Sequence, residues 1–358
     1  MNELFIDLKK IIFRVVIVTL YLKFVFQMIL DIHLILLDFI LYVSILFLLI
    51  PQKITISLAV VLLFVCISFF NPSARNFFLI LGITYASRIY TMKQLISMNL
   101  CLQLLVFITT CFLLWYGTTH SEMFFQTAMD QRERWDFGYG NPNVFALFIY
   151  SILINIYLLI YDKKYVSPVL VVFFILVILP VYNYTQSRTF LLAFLMLIMT
   201  HFVVIKQRVK LLMRVKIVLY LMPAIILLFI LMVVNNMSEF RLLNVLLSGR
   251  LALYRTLVEN LSFKDYLLGT PLITEGETID NAYLHILFEG GLLGFVVFYY
   301  LYCKTIKSVN KDSYYIVPTF VSFLSYGMTE SIFTAVLYVG NMIIWFLMYR
   351  RSFNVCNK

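Results

Sequence analysis

The chain has 358 residues, of which 63% are hydrophobic and 13% charged, with a mean hydropathy of +0.95. An ordinary soluble domain is about 45–50% apolar and about 25% charged, so a soluble fold and a disordered chain are both excluded. The net charge of +10 includes no basic block standing free of apolar sequence, so it points to the positive-inside bias of a membrane protein and not to nucleic acid.

Runs of apolar residues long enough to cross a bilayer recur along the whole sequence. The N-terminal MNELFIDLKK has no small-residue cleavage site, so the run after it is expected to be a first membrane helix and not a removed signal peptide. About twelve spans are expected, near residues 11–30, 32–50, 54–70, 76–90, 95–116, 143–161, 165–184, 188–205, 215–234, 281–303, 314–329 and 331–350. The fourth and eleventh are short, and are expected to be tilted, broken or interfacial. The expectation is an all-α integral membrane protein forming one polytopic domain over 1–358. The cysteines (Cys66, Cys101, Cys111, Cys303 and Cys356) lie in apolar runs or near predicted cytoplasmic ends, with neither a disulfide framework nor metal spacing.

Lys and Arg set the expected orientation. Lys9, Lys10, Arg14, Lys53, Arg88, Lys93, Lys163, Lys164, Lys206, Arg208, Lys210, Arg214, Lys216, Lys304, Lys307, Lys311, Arg350, Arg351 and Lys358 fall on one side. That side, with both termini, is expected to be cytoplasmic. Two outer segments are then long, 117–142 and 235–280. In the second, Ser248 can cap a helix over 249–260 that places Leu251, Tyr254 and Val258 on one face. The preceding EFRLLNVLL is also amphipathic, so short helices lying on the outer surface are expected there.

The outer side carries Arg75, Arg132, Arg134, Arg188, Arg241, Arg250, Arg255 and Lys264. This bias toward Arg suits phosphate, because a planar guanidinium binds phosphate oxygens bidentately. Local pairing competes with that use: Arg255 with Glu259 at i+4, and Arg134 with Asp130. Arg188 and Arg250 have no obvious local acid. Arg188 sits in YNYTQSRTF, in a turn between two spans, where its charge either meets an aqueous ligand or snorkels to headgroups.

GYGNPNVFA closes the first outer segment, with Asn143 placed to cap the next span. DNAYLHILFEGGLLG closes the second. Its Asp280 is either a helix cap or a general base facing a cavity. His285 and Glu289 lie on adjacent turns and either pair or orient the site. Gly290, Gly291 and Gly294 permit close helix packing. No Walker loop, dinucleotide fingerprint, Asp-x-Asp or metal-spaced histidine set is present. An enzyme of this sequence is expected to work on the outer side without a metal, nucleotide or other cofactor.

The chain resembles the bacterial O-antigen polymerase and ligase superfamily, and is most similar to Wzy-type polysaccharide polymerases. Four motifs carry the resemblance in order: GYGNPN before a span, TQSRT at the seventh–eighth turn, SGR in the long outer loop, and DNAYLHILFEGGLLG closing it. They cover about 130–300; the remainder matches by topology alone.

The resemblance implies glycosyl transfer on the outer leaflet of a bacterial plasma membrane. The substrate would be an undecaprenyl-diphosphate-linked oligosaccharide, with a chain-length regulator and a flippase as possible partners besides the bilayer. Arg188 and Arg250 would bind the diphosphate, and Arg255 is a weaker candidate. Asn281, Asn143, Tyr254 and His285 are further candidate substrate contacts. Ligases of the superfamily carry His-Asn where this chain has Asp280-Asn281. That departure favours a polymerase with Asp280 as base. A ligase and a lipid-linked oligosaccharide transporter are the alternatives.

Overall fold

In a computed structural model, the residues described are 2–50, 56–71, 74–125, 133–160, 167–236, 238–246, 250–270, 280–309, 313, 315–331, 333 and 339–352. Among them the protein is almost entirely helical. Helix α1 (Asn2–Phe24) runs into one π-helical turn, Val25–Ile29, and is followed by α2 (Ile35–Leu49), α3 (Ile56–Phe70), α4 (Ala74–Ala86) and α5 (Met92–Trp115). A two-stranded antiparallel ribbon, β1 (Met123–Phe125) with β2 (Glu133–Trp135), lies between α5 and the next helix. Then come α6 (Pro142–Ile160), α7 (Ser167–Thr185), α8 (Arg188–Asn235), α9 (Arg241–Leu246), α10 (Arg250–Glu259) and α11 (Phe263–Leu268). The chain closes with α12 (Ala282–Ser308), α13 (Ile316–Tyr326) and α14 (Met342–Ser352).

Among the described residues five segments are long and apolar enough to cross a membrane: Leu4–Ile29, Met92–Trp115, Pro142–Ile160, Lys216–Asn235 and Ala282–Ser308. Shorter apolar helices accompany them. The lipid-facing stripe is legible on α7, where Leu176 is 66% exposed while Leu170 and Phe174 face inward. Both faces of that helix are apolar, because one meets protein and the other meets lipid.

Two predicted features take a different form. The short fourth and eleventh runs are neither interfacial nor lipid-facing. Every residue of α13 is buried, and so is nearly all of α4. They are central helices, apolar all round because protein surrounds them. The predicted eighth and ninth helices are joined in α8, which is helical throughout Arg188–Asn235. Drawn straight, α8 would be about 72 Å long. The chain from Asn235 to Arg250 reaches at most about 54 Å, yet Arg250 lies beside Thr329, which touches Thr189 near the start of α8. Hence α8 bends back on itself. Its second half carries Pro223 and sets Lys216 and Leu219 against the C-terminal end of α12, through Val309 and Tyr302.

α12 is also broken. Gly291, at φ +63° and ψ −171°, leaves the helical region inside it. The break frees the carbonyls of Phe288 and Glu289, which accept from Thr270 N–H (2.7 Å) and the Asn71 side-chain amide (3.5 Å). α11 packs into the gap, so the segment between α8 and α12 is anchored by its own backbone and not merely laid on the surface.

Polar side chains tie the helices inside the apolar core. Asn155 donates to Gln103 (2.9 Å), which donates to Ser151 (2.5 Å), joining α5 to α6. Lys23 of α1 is paired with Asp38 of α2, and His33 approaches the other oxygen of that carboxylate at 3.6 Å. A charge within a predicted span is thereby neutralised.

Candidate functional site

α5 leads through the β-ribbon into α6, so the starts of α5 and α6 lie at opposite ends of the bundle. The end where α6, α8, α10 and α12 begin, and α7 and α13 finish, holds most of the sequence-predicted residues.

The turn after α13 builds that end. Its consecutive carbonyls at Gly327, Met328 and Thr329 accept from Ala282 N–H (2.8 Å), Asn281 Nδ2 (2.7 Å) and Arg250 Nη1 (3.0 Å). Thr329 also meets Thr189 hydroxyl to hydroxyl at 2.5 Å. The start of α12, the start of α10 and the start of α8 therefore share one turn. Asn281 is the N-cap of α12: its Oδ1 accepts from the N–H groups of Tyr283 (3.1 Å) and Leu284 (3.0 Å). Because Asn281 caps, Asp280 does not. Asp280 Oδ2 instead takes the Arg250 Nη2 at 2.8 Å, with both side chains 23% exposed.

A second arginine enters from the ribbon. Arg134 on β2 is buried, donating from Nε to the Thr185 carbonyl (2.8 Å) and from Nη2 to Asn143 Oδ1 (2.5 Å). Asn143 is thus a guanidinium acceptor, and the capping expected of it belongs to Asn141, whose side chain accepts the Asn143 N–H at 2.8 Å.

Glu330 follows the three carbonyls. Burial and the neighbouring Asp280 charge push its carboxyl up to about 8, against the pull of Arg250 and Arg134. Near neutral pH it holds its proton beside the arginine-bound Asp280. Tyr254, buried on α10 in the same electrostatic neighbourhood, has its phenol pushed up, chiefly by burial.

The structure therefore gathers Arg250, Asp280, Asn281 and Tyr254, and brings Asn143 to the same end through Arg134 and Thr185. Arg188, first residue of α8, is exposed at the rim with no bond to any described residue. It adjoins Thr189 but stands apart from the Arg250–Asp280 contact. Arg255 is drawn off by Glu259 at 2.6 Å, the local pairing at i+4. His285 Nδ1 lies 3.4 Å from Glu289 Oε2, and Glu289 Oε1 accepts from Asn76 (2.7 Å). That trio sits about one to two turns beneath Asn281 and braces α12 against α4. Arg132, Asp130, Ser248 and Gly249 lie outside the described residues.

Motif spacing misses Glu330. The signal was present: it is the acid between the last two predicted spans, where a charge flanked by apolar runs marks a polar site. Among the described residues no cluster of three or more His, Cys, Asp or Glu side chains is arranged to hold a metal. Two guanidinium groups beside two carboxyls can bind an anion and exchange a proton. Compared with protein-family models, curated proteins and solved structures, the chain gives no match.

Proposed function

We propose that this chain is a polysaccharide polymerase of a bacterial plasma membrane, crossing it about twelve times with both termini cytoplasmic and the Arg250–Asp280 site outside. It joins undecaprenyl-diphosphate-linked oligosaccharide repeats on the outer leaflet. The observation that carries the reading is the Arg250–Asp280 pair, set beside Glu330 and Arg134 where α6, α8, α10 and α12 begin. An arginine held, among the described residues, by a carboxylate and one carbonyl can exchange that carboxylate for a phosphate.

The step divides as follows. The incoming diphosphate takes Arg250, and Asp280 is released. The acceptor sugar's hydroxyl oxygen forms a bond to the anomeric carbon of the donor chain, and its proton passes to Asp280. The bond from that carbon to the lipid diphosphate breaks. The leaving diphosphate keeps the electron pair, its charge balanced by Arg250 with Arg188 at the rim. Glu330, protonated, leaves the site with a net positive balance suited to an anionic donor.

The test is the length distribution of lipid-linked and surface glycan in the native host after deletion of the gene. Single repeat units in place of polymer are expected. Full-length polymer retained on lipid diphosphate would make the chain a ligase. Repeats trapped on the inner leaflet would make it a transporter.

A further inference from the structure

At the opposite end of the bundle, α1 and α5 enclose a groove of about 580 Å³. No acidic residue lines it. Its outermost part is cationic and rich in free donors. Arg14 is pinned by one nitrogen: its Nε donates to the Tyr90 hydroxyl at 3.1 Å, and that hydroxyl donates to the Lys10 carbonyl at 2.8 Å. The terminal nitrogens of Arg14 have no acceptor among the described residues. Neither does the Lys93 ammonium or the Ser97 hydroxyl, and the Gln94 side chain uses only its oxygen, toward the Thr91 N–H.

One helical turn further along both helices the lining becomes apolar, with Val18 on α1 and Met98 and Leu102 on α5. α1 and α5 each begin at this end, so the change from charged to apolar runs the same way on both walls. A polar donor cluster opening directly into an apolar channel along the bundle has the head-and-tail chemistry of a phospholipid. The surroundings favour a negative head. Lys9 and Arg88 lie close enough to repel, and Asp7, the nearby acid, is already bound to Lys10 at 2.9 Å.

We infer that the α1–α5 groove is a binding site for an anionic phospholipid. Arg14, Lys93 and Ser97 hold the headgroup phosphate, and Val18, Met98 and Leu102 receive the start of an acyl chain. Arg14 is prepared for this by Tyr90, which fixes one edge of the guanidinium and leaves the other facing the groove.

Native mass spectrometry of the full chain, released from zwitterionic micelles containing phosphatidylcholine and phosphatidylglycerol, tests it. One phosphatidylglycerol is expected to stay bound at activation energies that strip phosphatidylcholine. Lys93→Gln removes a charge that has no partner among the described residues, so it should weaken retention without disturbing the fold. Together with Arg14→Gln the loss should be roughly tenfold to thirtyfold. Lys304→Gln with Lys307→Gln, cations on α12 at the same end, should change nothing. Equal retention of both lipids overturns the inference, as does equal loss in the two double variants. Displacement by soluble glycerol phosphate at the same concentration as the lipid would show a small-anion site and overturn the lipid assignment.

Discussion

Arg250 makes two contacts of different kinds, and the difference sets what each substitution does. The Thr329 carbonyl holds it in place, while the Asp280 carboxylate balances its charge and can be replaced by a phosphate. Arg250→Lys keeps the charge but cannot serve both partners from one planar fork. Polymer synthesis in membranes should fall roughly 10²–10³-fold, with protein level unchanged. On the proposed mechanism Asp280→Asn removes the proton acceptor while preserving shape, and elongation should fall by about 10²–10⁴; normal polymer length in that variant would remove Asp280 from the reaction. Glu330 sets a pH limb. Its carboxyl is neutral below about 8 and charged above. A second negative charge beside Asp280 opposes the donor diphosphate, so activity should decline as pH rises through 8. Glu330→Gln is uncharged at every pH and should keep its activity at pH 9; an unchanged alkaline limb would assign that titration to another group. Arg188, exposed and without a side-chain bond to any described residue, should act through donor capture, so Arg188→Lys should raise the donor concentration needed for half-maximal rate. Full activity at low donor would assign Arg188 to lipid headgroups. Asp280, Arg250 and Asn281 were legible because their motifs are local. Glu330 was not, since its environment is made by residues 50–196 positions away in the chain.

Short amphipathic helices repeat the pattern at the level of elements. The predicted helix over 249–260 is α10, and the residues it buries are Leu251, Tyr254 and Val258. Helical periodicity alone specifies that face. α12 is different. Its glycines suggested close packing, and Gly290 and Gly294 do lie against Phe77. The break at Gly291 was not legible, because it depends on α11 docking from elsewhere in the chain. A Cβ at Gly291 would strike the Leu267 carbonyl and approach Gly269 N at 2.6 Å, in a backbone conformation that L-residues rarely adopt. Gly291→Ala should therefore expel α11 or straighten α12, at a cost on the order of 1–3 kcal/mol. The thermal midpoint of the purified protein should fall, and the α11 amides should lose hydrogen-exchange protection. Gly294→Ala, whose added Cβ meets only side-chain carbon of Phe77 at 3.3 Å and ordinary contacts beyond, should do much less.

At the scale of the whole molecule, charge and shape divide the bundle into two unlike ends. One end collects the starts of α6, α8, α10 and α12 and carries the Arg250–Asp280 site; the other carries the start of α5, the end of α12 and the basic groove. Hydropathy marked the long apolar runs, since lipid demands them, and five segments among the described residues are long and apolar enough to cross. It did not distinguish central helices from lipid-facing ones, because Leu in a protein core and Leu in lipid are equally apolar. Nor did it show that α8 joins two apolar runs by a continuous helical backbone, because helix propensity persists through the basic stretch 206–216. Sidedness remains a matter of charge: the lysine-rich end should face the cytoplasm. A cysteine-free background carrying Lys264→Cys, in the short α11 near the site, should react with a membrane-impermeant maleimide on intact cells. Lys93→Cys, in the groove at the other end, should react only after permeabilisation. The reverse pattern would put the Arg250–Asp280 site in the cytoplasm and end the outer-leaflet reading. Labelling of both on intact cells would mean that the two ends are not on opposite sides of the membrane, contrary to the run of α5 from one to the other.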